Sequence, residues 1–244
     1  RYYACSHLIA TGSSEKQISL MGNSSTARAK LAIGAAGLGV KVDESTQHAM
    51  LAYLALLKRW NKVYNLTAVK GDANILNRHL LDSLSVVPYL YGERVIDIGT
   101  GAGLPGIPIA LACPHLQITL LDSNAKRCRF LRQVQAQLKL DNVTIVQQRA
   151  EDYLPVEKFD SLVSRAYSSL ISFIASSVHL LAKGGQVVAM KGAWPGSENL
   201  QLPDGFMIDN VVKIKVPGLP EQRHLVICKY SDQEAQQTIH EKVS

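Results

Sequence analysis

The sequence has little that would place the protein in a membrane, a disulfide framework or a metal site. No apolar run in its 244 residues approaches the roughly 18 residues that span a bilayer. The four cysteines form no CxxC pair and have no metal-ligand spacing, which favours reduced, mostly buried thiols in a cytoplasmic protein. The apolar patch near Ile9 is short, so we expect neither a signal peptide nor a membrane partner, and no metal.

The charge that is present lies unevenly along the chain. The net charge is +6, and residues 1–90 hold 10 Lys and Arg against 5 Asp and Glu, whereas residues 91–244 hold 16 against 15. A basic N-terminal segment followed by a near-neutral remainder of the chain indicates a polyanion partner, with nucleic acid as the first candidate. Taken alone the signal is weak, because many solvated surfaces have the same imbalance.

Hydrophobic periodicity divides the chain into three parts. Residues 1–40 are rich in Ser, Gly and Ala with little periodicity, so we expect an extension that is partly disordered. Residues 41–90 are predicted to form a helical cap of two amphipathic helices, one from Thr46 and one over residues 73–89. Residues 91–244 are predicted to form the ligand-binding domain.

The third part alternates strands with helices, which predicts βαβ units and a mostly parallel sheet. The last two strands have no helix-length spacer between them, so we expect them to form an antiparallel pair. Seven strands are predicted, over residues 95–98, 117–121, 143–146, 161–163, 186–190, 211–216 and 225–228.

A glycine cluster follows the first predicted strand and precedes a helix. Gly99, Gly101 and Gly103 give the spacing GxGxG, and Asp97 lies two residues before the first of them. Glycines at such a turn let the backbone approach a ligand closely. Dinucleotide sites more often use GxGxxG, whereas the sulfonium, amino and carboxylate groups of S-adenosylmethionine favour a loop with a carboxylate nearby.

Two further positions support an adenosine-containing cofactor. Asp122 ends the second strand, where a carboxylate can accept both ribose hydroxyls. Ala150 and Glu151 follow the third strand, where a small residue beside an acid suits the adenine amino group. The pattern therefore predicts an α/β, Rossmann-like class I methyltransferase with N-terminal helices. The alternatives are a nicotinamide or flavin dehydrogenase and purely structural turn glycines.

Several segments together closely resemble the glucose-inhibited division protein B family, over about residues 45–230. The resemblance implies S-adenosylmethionine-dependent methylation of guanine N7 in bacterial 16S ribosomal RNA, in a loop near the decoding site. It also implies cofactor contacts at Gly99, Leu104, Ala150, Glu151 and Arg165. The segments that carry it are residues 60–67 (WNKVYNLT), 78–84 (RHLLDSL), 97–108 (DIGTGAGLPGIP), 121–127 (LDSNAKR), 159–166 with Ser164-Arg165-Ala166, 191–192 (KG) and 223–226 (RHLV).

Guanine N7 carries a free lone pair at neutral pH, so it can attack a methyl group without first losing a proton. Such an enzyme needs positioning and electrostatics more than a general base. No Asn-Pro-Pro-Tyr-like tetrapeptide of the amino-group methyltransferases follows the fourth strand, where Arg165 stands instead and is the predicted positioning residue. Cys113, beside Pro114, lies at the wrong end of its helix to act as a C5-type nucleophile.

The predicted RNA contacts are basic side chains in the resembling segments, namely Arg78, His79, Lys126, Lys191 and Arg223. Structural roles are the alternative for each. Arg78 and His79 could pin the front helices by pairing with acids such as Asp82, and Arg165 could form an ion pair with an acid such as Asp97. The expected partner is 16S ribosomal RNA or a small-subunit particle, bound by a monomer. The alternatives are a non-catalytic RNA-binding module and a methyltransferase for a small molecule or a protein.

Overall fold

The computed structural model describes residues 25–67, 75–165, 167, 169–194 and 201–230. Its helical elements are α1 (Ser25–Gly37), α2 (Glu44–Tyr64), a π-helix (Leu76–Leu81) that runs into α3 (Asp82–Leu84), α4 (Gly106–Ala112), α5 (Ala125–Leu138) and α6 (Leu170–Ser177), with 3-10 turns at Val87–Tyr89 and Val178–Leu180. Its strands are β1 (Arg94–Ile98), β2 (Gln117–Leu121), β3 (Val143–Val146), β4 (Phe159–Ser164), β5 (Leu181–Lys191), β6 (Phe206–Ile214) and β7 (Arg223–Tyr230).

The strands form one sheet in the order β3-β2-β1-β4-β5-β7-β6. Strands β1 to β5 are parallel, and β7 lies antiparallel between β5 and β6. The predicted seven-stranded, mostly parallel sheet with an antiparallel C-terminal pair is therefore confirmed. The strand order reverses beside β1, and in open α/β sheets the carboxyl ends of the strands form a ligand crevice at such a point.

The central strands β1 and β4 are buried on both faces of the sheet, as in a parallel sheet that is covered by helices. Successive residues alternate between two cores: Val95 and Val163 face one, and Ile96 and Leu162 face the other. The first core also takes the apolar sides of α1, α2, α4 and α5, whereas α6 packs in the second. These layers leave the carboxyl edge of the sheet as the place where loops can form a site.

Polar caps fix where two of the helices begin. The Asp43 carboxylate accepts a hydrogen bond from the Thr46 N–H at 2.7 Å, which satisfies a free donor at the start of α2. At the start of α5, the Asn124 side chain accepts from the N–H groups of Lys126 and Arg127. The second cap places the basic first turn of α5 directly after the β2 carboxyl end.

The helices before the sheet begin earlier than the sequence suggests. Residues 1–40 were expected to be partly disordered; within them, residues 25–37 form α1 and bury Leu31 and Ala35 in the first core. Residues 1–24 lie outside the described residues. The fully buried Tyr53 of α2 donates a hydrogen bond to the Ala102 carbonyl at 2.7 Å, so this layer also contacts the glycine loop.

The second predicted helix contains a π-turn. In residues 76–81 the hydrogen bonds reach one residue further back than in an α-helix, and the Asp82 N–H donates to the Asn77 carbonyl. Single π-turns of this kind are frequent at functional sites. Periodicity indicated a helix here, but not the additional residue in its turn. The extra residue determines which way Arg78, His79 and Asp82 point.

Candidate active site

Two cavities open among the loops and strand ends at the carboxyl edge of the sheet. The first, called here the glycine-loop cavity, has a volume of about 320 Å³ and is lined by Ile98, Gly99, Leu121, Asp122, Ser123, Arg127, Gln148, Arg149, Ala150, Glu151 and Tyr167. The second, called the arginine cavity, has a volume of about 420 Å³ and is lined by Thr67, Arg78, His79, Asp82, Arg165, Met190, Lys191, Gly192 and Arg223.

The glycine loop takes a backbone path that other residues rarely adopt. Gly99, Gly101 and Gly103 have φ values of 67°, 61° and 89°. A Cβ added at Gly103 would lie 2.5 Å from Cγ1 of Ile107, so strain and overlap both oppose a side chain there. The sequence pattern therefore marks a turn that brings backbone to the edge of the first cavity.

The carboxylate of Asp97, near the end of β1, is hydrogen-bonded to the glycine loop at two points. Its Oδ2 accepts hydrogen bonds from the Thr100 hydroxyl at 2.6 Å and the Gly106 N–H at 2.8 Å. Burial raises the pKa of Asp97 to about 6, although these hydrogen bonds favour the ionised form. Its Oδ1 is also buried and accepts no hydrogen bond from the described residues, and Asp97 lies beneath the loop without lining either cavity.

Asp122 connects the end of β2 to the glycine loop. Its carboxylate accepts from the Gly101 N–H at 2.9 Å, the Asn124 N–H at 2.8 Å and Nη1 of Arg127 at 3.2 Å. A carboxylate offers about four acceptor positions, so these three donors leave about one for a ligand. We expected Asp122 to accept both ribose hydroxyls, and its surroundings favour a contact to one.

The other predicted cofactor residues differ in their placement. Ala150 is buried and Glu151 is exposed, and both line the glycine-loop cavity as the sequence suggested. Leu104 instead packs its side chain in the first core and is 4% exposed. A contact from Leu104 to a ligand stays a prediction, and its side chain is not at the cavity surface.

The arginine cavity is organised around an acid that the sequence suggested only as a pairing partner. Nη1 of Arg165 lies 3.2 Å from Oδ2 of Asp82, and Nε of Arg223 lies 2.9 Å from Oδ1 of the same carboxylate. Arg165 therefore pairs with Asp82, and the ion pair with Asp97 that was considered is absent from the described residues. Arg165 and Arg223, which come from distant parts of the sequence, line one cavity.

Arg78 and His79 share the arginine cavity but differ in charge. Arg78 forms its ion pair with Glu221, so Asp82 is not its partner as we had considered. His79 is 1% exposed, and burial together with the positive charge of Arg165 lowers the pKa of His79 to about 4. These surroundings therefore favour the neutral imidazole, and a contact from His79 to RNA stays a prediction.

The two predicted lysines lie in different environments. Lys191 lines the arginine cavity and donates to the Tyr167 carbonyl at 2.5 Å, and burial lowers the pKa of its ammonium group. Lys126 is exposed on the first turn of α5, outside the linings of both cavities. The structure thus brings four of the five predicted RNA-contacting residues together and leaves Lys126 at the rim of the same edge.

Three cysteines are described, and all three are buried free thiols: Cys113, Cys128 and Cys228. Burial raises the pKa of each, and that of Cys228 to about 12. A buried, protonated thiol is a poor nucleophile, which argues against a covalent role for Cys113. Cys5 lies outside the described residues.

Within the described ranges there is no cluster of His, Cys, Asp and Glu side chains able to hold a metal ion, and no helix with the length and apolar character to cross a membrane.

Sequence reasoning missed Glu221 and gave Asp82 no role of its own. Asp82 had a usable signal, because it is an acid flanked by Leu80, Leu81 and Leu84 in a helical apolar pattern, and such an acid must find a partner when buried. Glu221 lies in the connection between β6 and β7, where no periodicity marks it. Only the folded chain places it beside Arg78.

The strand order separates two classes of adenosine-binding protein. Dinucleotide-binding folds classically have the order 3-2-1-4-5-6 with parallel strands. Here an antiparallel β7 is inserted between β5 and β6. The chain also has a GxGxG loop after β1 and an acid at the end of β2. This arrangement defines a Rossmann-like methyltransferase that uses S-adenosylmethionine.

Comparisons with known proteins give the family. The model of the family described as rRNA small subunit methyltransferase G matches residues 46–226, and the chain belongs to this family, the one that the sequence resembled. A relative of that name from Nitrosospira multiformis is 44% identical over 211 residues, which cover 84% of this chain and 98% of the relative. One from Salmonella paratyphi B is 48% identical over 194 residues, which cover 80% and 94%.

A solved structure agrees with the fold. The glycopeptide N-methyltransferase MtfA matches with a TM-score of 0.50 and 15% sequence identity, over 65% of this chain and 98% of that one. At this identity the likeness supports the fold alone.

Proposed function

We propose that the protein methylates N7 of a guanosine in 16S ribosomal RNA near the decoding site, with S-adenosylmethionine as methyl donor. One observation carries the proposal: the walls of the two cavities are in contact, because Lys191 of the arginine cavity donates to the carbonyl of Tyr167, which lines the glycine-loop cavity. A cofactor in the first and a nucleotide in the second would therefore meet at their common boundary. The names of the relatives supply the small-subunit RNA as substrate.

The residues of the glycine-loop cavity fit the cofactor. Asp122 has about one acceptor position left for a ribose hydroxyl, and Glu151 beside the small Ala150 can accept from the adenine amino group. Asp97 Oδ1 is buried without a partner among the described residues, so the carboxylate can complement the amino group of the methionine portion. When bound, the cofactor supplies an electrophilic methyl group on a sulfonium.

The residues of the arginine cavity fit the acceptor base. Guanine N7 forms the new N–C bond with its lone pair while the S–C bond breaks and its electrons return to sulfur, so no proton is removed first. Arg165 can donate to guanine O6 and leave N7 free. His79 is buried as a neutral imidazole in the same cavity. Their task is to orient the base rather than to transfer a proton.

The salt dependence of RNA binding tests the proposed RNA surface. If Arg78, Lys126 and Lys191 contact phosphates, the logarithm of the affinity should fall steeply with the logarithm of the salt concentration, and each replacement should reduce that slope by about 1. Fluorescence anisotropy with a 16S fragment measures it. Lys158→Gln is the matched control for Lys126→Gln, since both lysines are exposed but Lys158 precedes β4, at the opposite edge of the sheet. Equal slopes for wild type and all three variants would move the RNA surface elsewhere.

The activity itself is tested by nucleoside mass spectrometry of 16S ribosomal RNA from cells with and without the gene. We expect loss of one 7-methylguanosine, and its return when the gene is supplied again. Unchanged 7-methylguanosine content, or loss of another methylated nucleoside, would overturn the proposed activity. Naked RNA and small subunits from the deletion strain, offered separately to the purified protein, identify the form of substrate, and light scattering checks the predicted monomer.

A further inference from the structure

One carboxylate lies between two arginines that come from different strands of the sheet. Asp82 is 5% exposed at its side chain, and its two oxygens separately accept from Arg165, which follows β4, and Arg223, which begins β7. The side chains of these arginines are 27% and 21% exposed. Asp82 therefore sets the separation between two guanidiniums that both line the arginine cavity.

The backbone of Asp82 is itself held on both sides. Its N–H donates to the Asn77 carbonyl in the π-turn, and its carbonyl accepts from the Ser85 hydroxyl at 2.6 Å. Each residue in an α-helix turns the side chain by about 100°, so a regular helix without the extra residue would point Asp82 in another direction. The π-turn therefore places this carboxylate in the cavity.

The same turn also holds the connection that precedes Arg223. Nδ2 of Asn77 donates to the Gly218 carbonyl at 2.9 Å, and Arg78 pairs with Glu221. Together with the contact between Asp82 and Arg223, these bonds hold residues 218–223 against the π-turn, and Arg223 at the end of this segment lines the cavity.

Asp82 uses only part of each guanidinium. Nη1 of Arg165 donates to Asp82 and to the Arg78 carbonyl, while Nε and Nη1 of Arg223 donate to Asp82 and to the Gln222 carbonyl. In the described part of the chain, Nη2 of neither arginine has a hydrogen-bond acceptor. A guanidinium is a planar fork whose remaining donors suit oxygen acceptors of a base or a phosphate.

We propose that Asp82 is a positioning residue that holds Arg165 and Arg223 as a pair of donors, Arg165 for the target base and Arg223 for the adjoining phosphate. This inference rests on the proposed function, because it assigns the target nucleotide to the arginine cavity. Asp82 acts through the two arginines and is not itself a catalytic residue.

Asp82→Asn tests this with little change in shape, since the amide oxygen can still accept from one arginine while the charge is lost. We expect the single-turnover methylation rate at saturating RNA to fall about tenfold or more, because neither guanidinium is held. RNA should bind at least as tightly as to wild type, with a salt slope steeper by up to about 1, because the cavity gains one positive charge. Affinity for S-adenosylmethionine should not change. A merely structural role would instead weaken RNA and cofactor binding together, without a selective loss of rate.

Arg223→Lys keeps the test decisive if Asp82→Asn folds poorly, and a double variant measures the coupling if it folds well. Arg223→Lys retains the charge but lacks the planar fork, so it should lower the rate with an unchanged salt slope. Adding Asp82→Asn to Arg165→Ala should cost much less than Asp82→Asn alone, because the carboxylate acts partly through that arginine. Asp209→Asn is the matched control: it also converts an ion-paired acid to an amide, but its partner is Lys229 at 3.0 Å, outside both cavities.

The outcomes separate this inference from the proposed function. If wild type methylates 16S ribosomal RNA and a folded Asp82→Asn protein does so at the same rate, positioning by Asp82 is refuted while the function stands. Weakened RNA binding with an unchanged rate would refute it as well. If wild type transfers no methyl group to this RNA, both the function and the inference fail.

Discussion

Replacing Arg165 by alanine should lower the single-turnover rate of methyl transfer to small-subunit RNA well over about tenfold, the scale of losing a charge-assisted hydrogen bond in the transition state. Arg165 lies at the carboxyl end of β4, lines the arginine cavity and is held by Asp82 and the Arg78 carbonyl. Without it the base loses the donor that we propose for O6. Arg165→Lys should restore only part of the rate, because lysine lacks the fork.

Arg94→Ala is the matched control for this experiment. Arg94 pairs with Glu157 and its side chain is 26% exposed, compared with 27% for Arg165, but it begins β1 at the opposite edge of the sheet. Its replacement should affect thermal stability without a comparable loss of rate. A stable Arg165→Ala protein with a near wild-type rate would remove Arg165 from the site.

Replacing Asp122 by alanine should weaken S-adenosylmethionine binding by about 1.5–3 kcal/mol, the scale of hydrogen bonds to a charged group. The carboxylate is buried at the end of β2, and it holds the glycine loop through the Gly101 N–H. The variant therefore loses both the ribose contact that we propose and the support of the loop. Calorimetry below the melting temperature measures the affinity.

An analogue lacking a ribose hydroxyl separates these two contributions. If Asp122 accepts from the ribose, Asp122→Ala should weaken binding of the 2′- or 3′-deoxy cofactor less than binding of the complete cofactor, as in a double-mutant cycle. Asp160→Ala is the control, since Asp160 also accepts from backbone groups, the N–H of Glu93 and of Arg94, but at the other edge of the sheet. Unchanged calorimetric affinity for Asp122→Ala would contradict the placement of the cofactor.

Much of the glycine-loop cavity could be predicted because its signals are local. Strand, glycine turn and strand-end acid occur within short windows, and parallel strands bring their carboxyl ends to one edge. Gly99, Asp122, Ala150 and Glu151 therefore line one cavity as expected. Leu104 differs, because burial of its side chain in the core depends on neighbours that a motif does not contain.

The sequence by itself determined the class of fold, the mostly parallel sheet with its antiparallel C-terminal pair, the cofactor loop and the family, because period-2 and helical patterns and short motifs act locally. It did not determine α1. The hydrophobic periodicity of residues 25–37 is weak, and the helix is stabilised by burial of Leu31 and Ala35 in the first core. Only the tertiary structure decided the charge arrangement of the second cavity. Which acid meets Arg78, Arg165 or Arg223 depends on side chains more than 80 residues apart in sequence, and on a π-turn that rotates Asp82 between two arginines. Buried charges must pair with the groups that the fold brings near them. Here Asp82 meets Arg165 and Arg223 only once β4 and β7 have taken their places in the sheet.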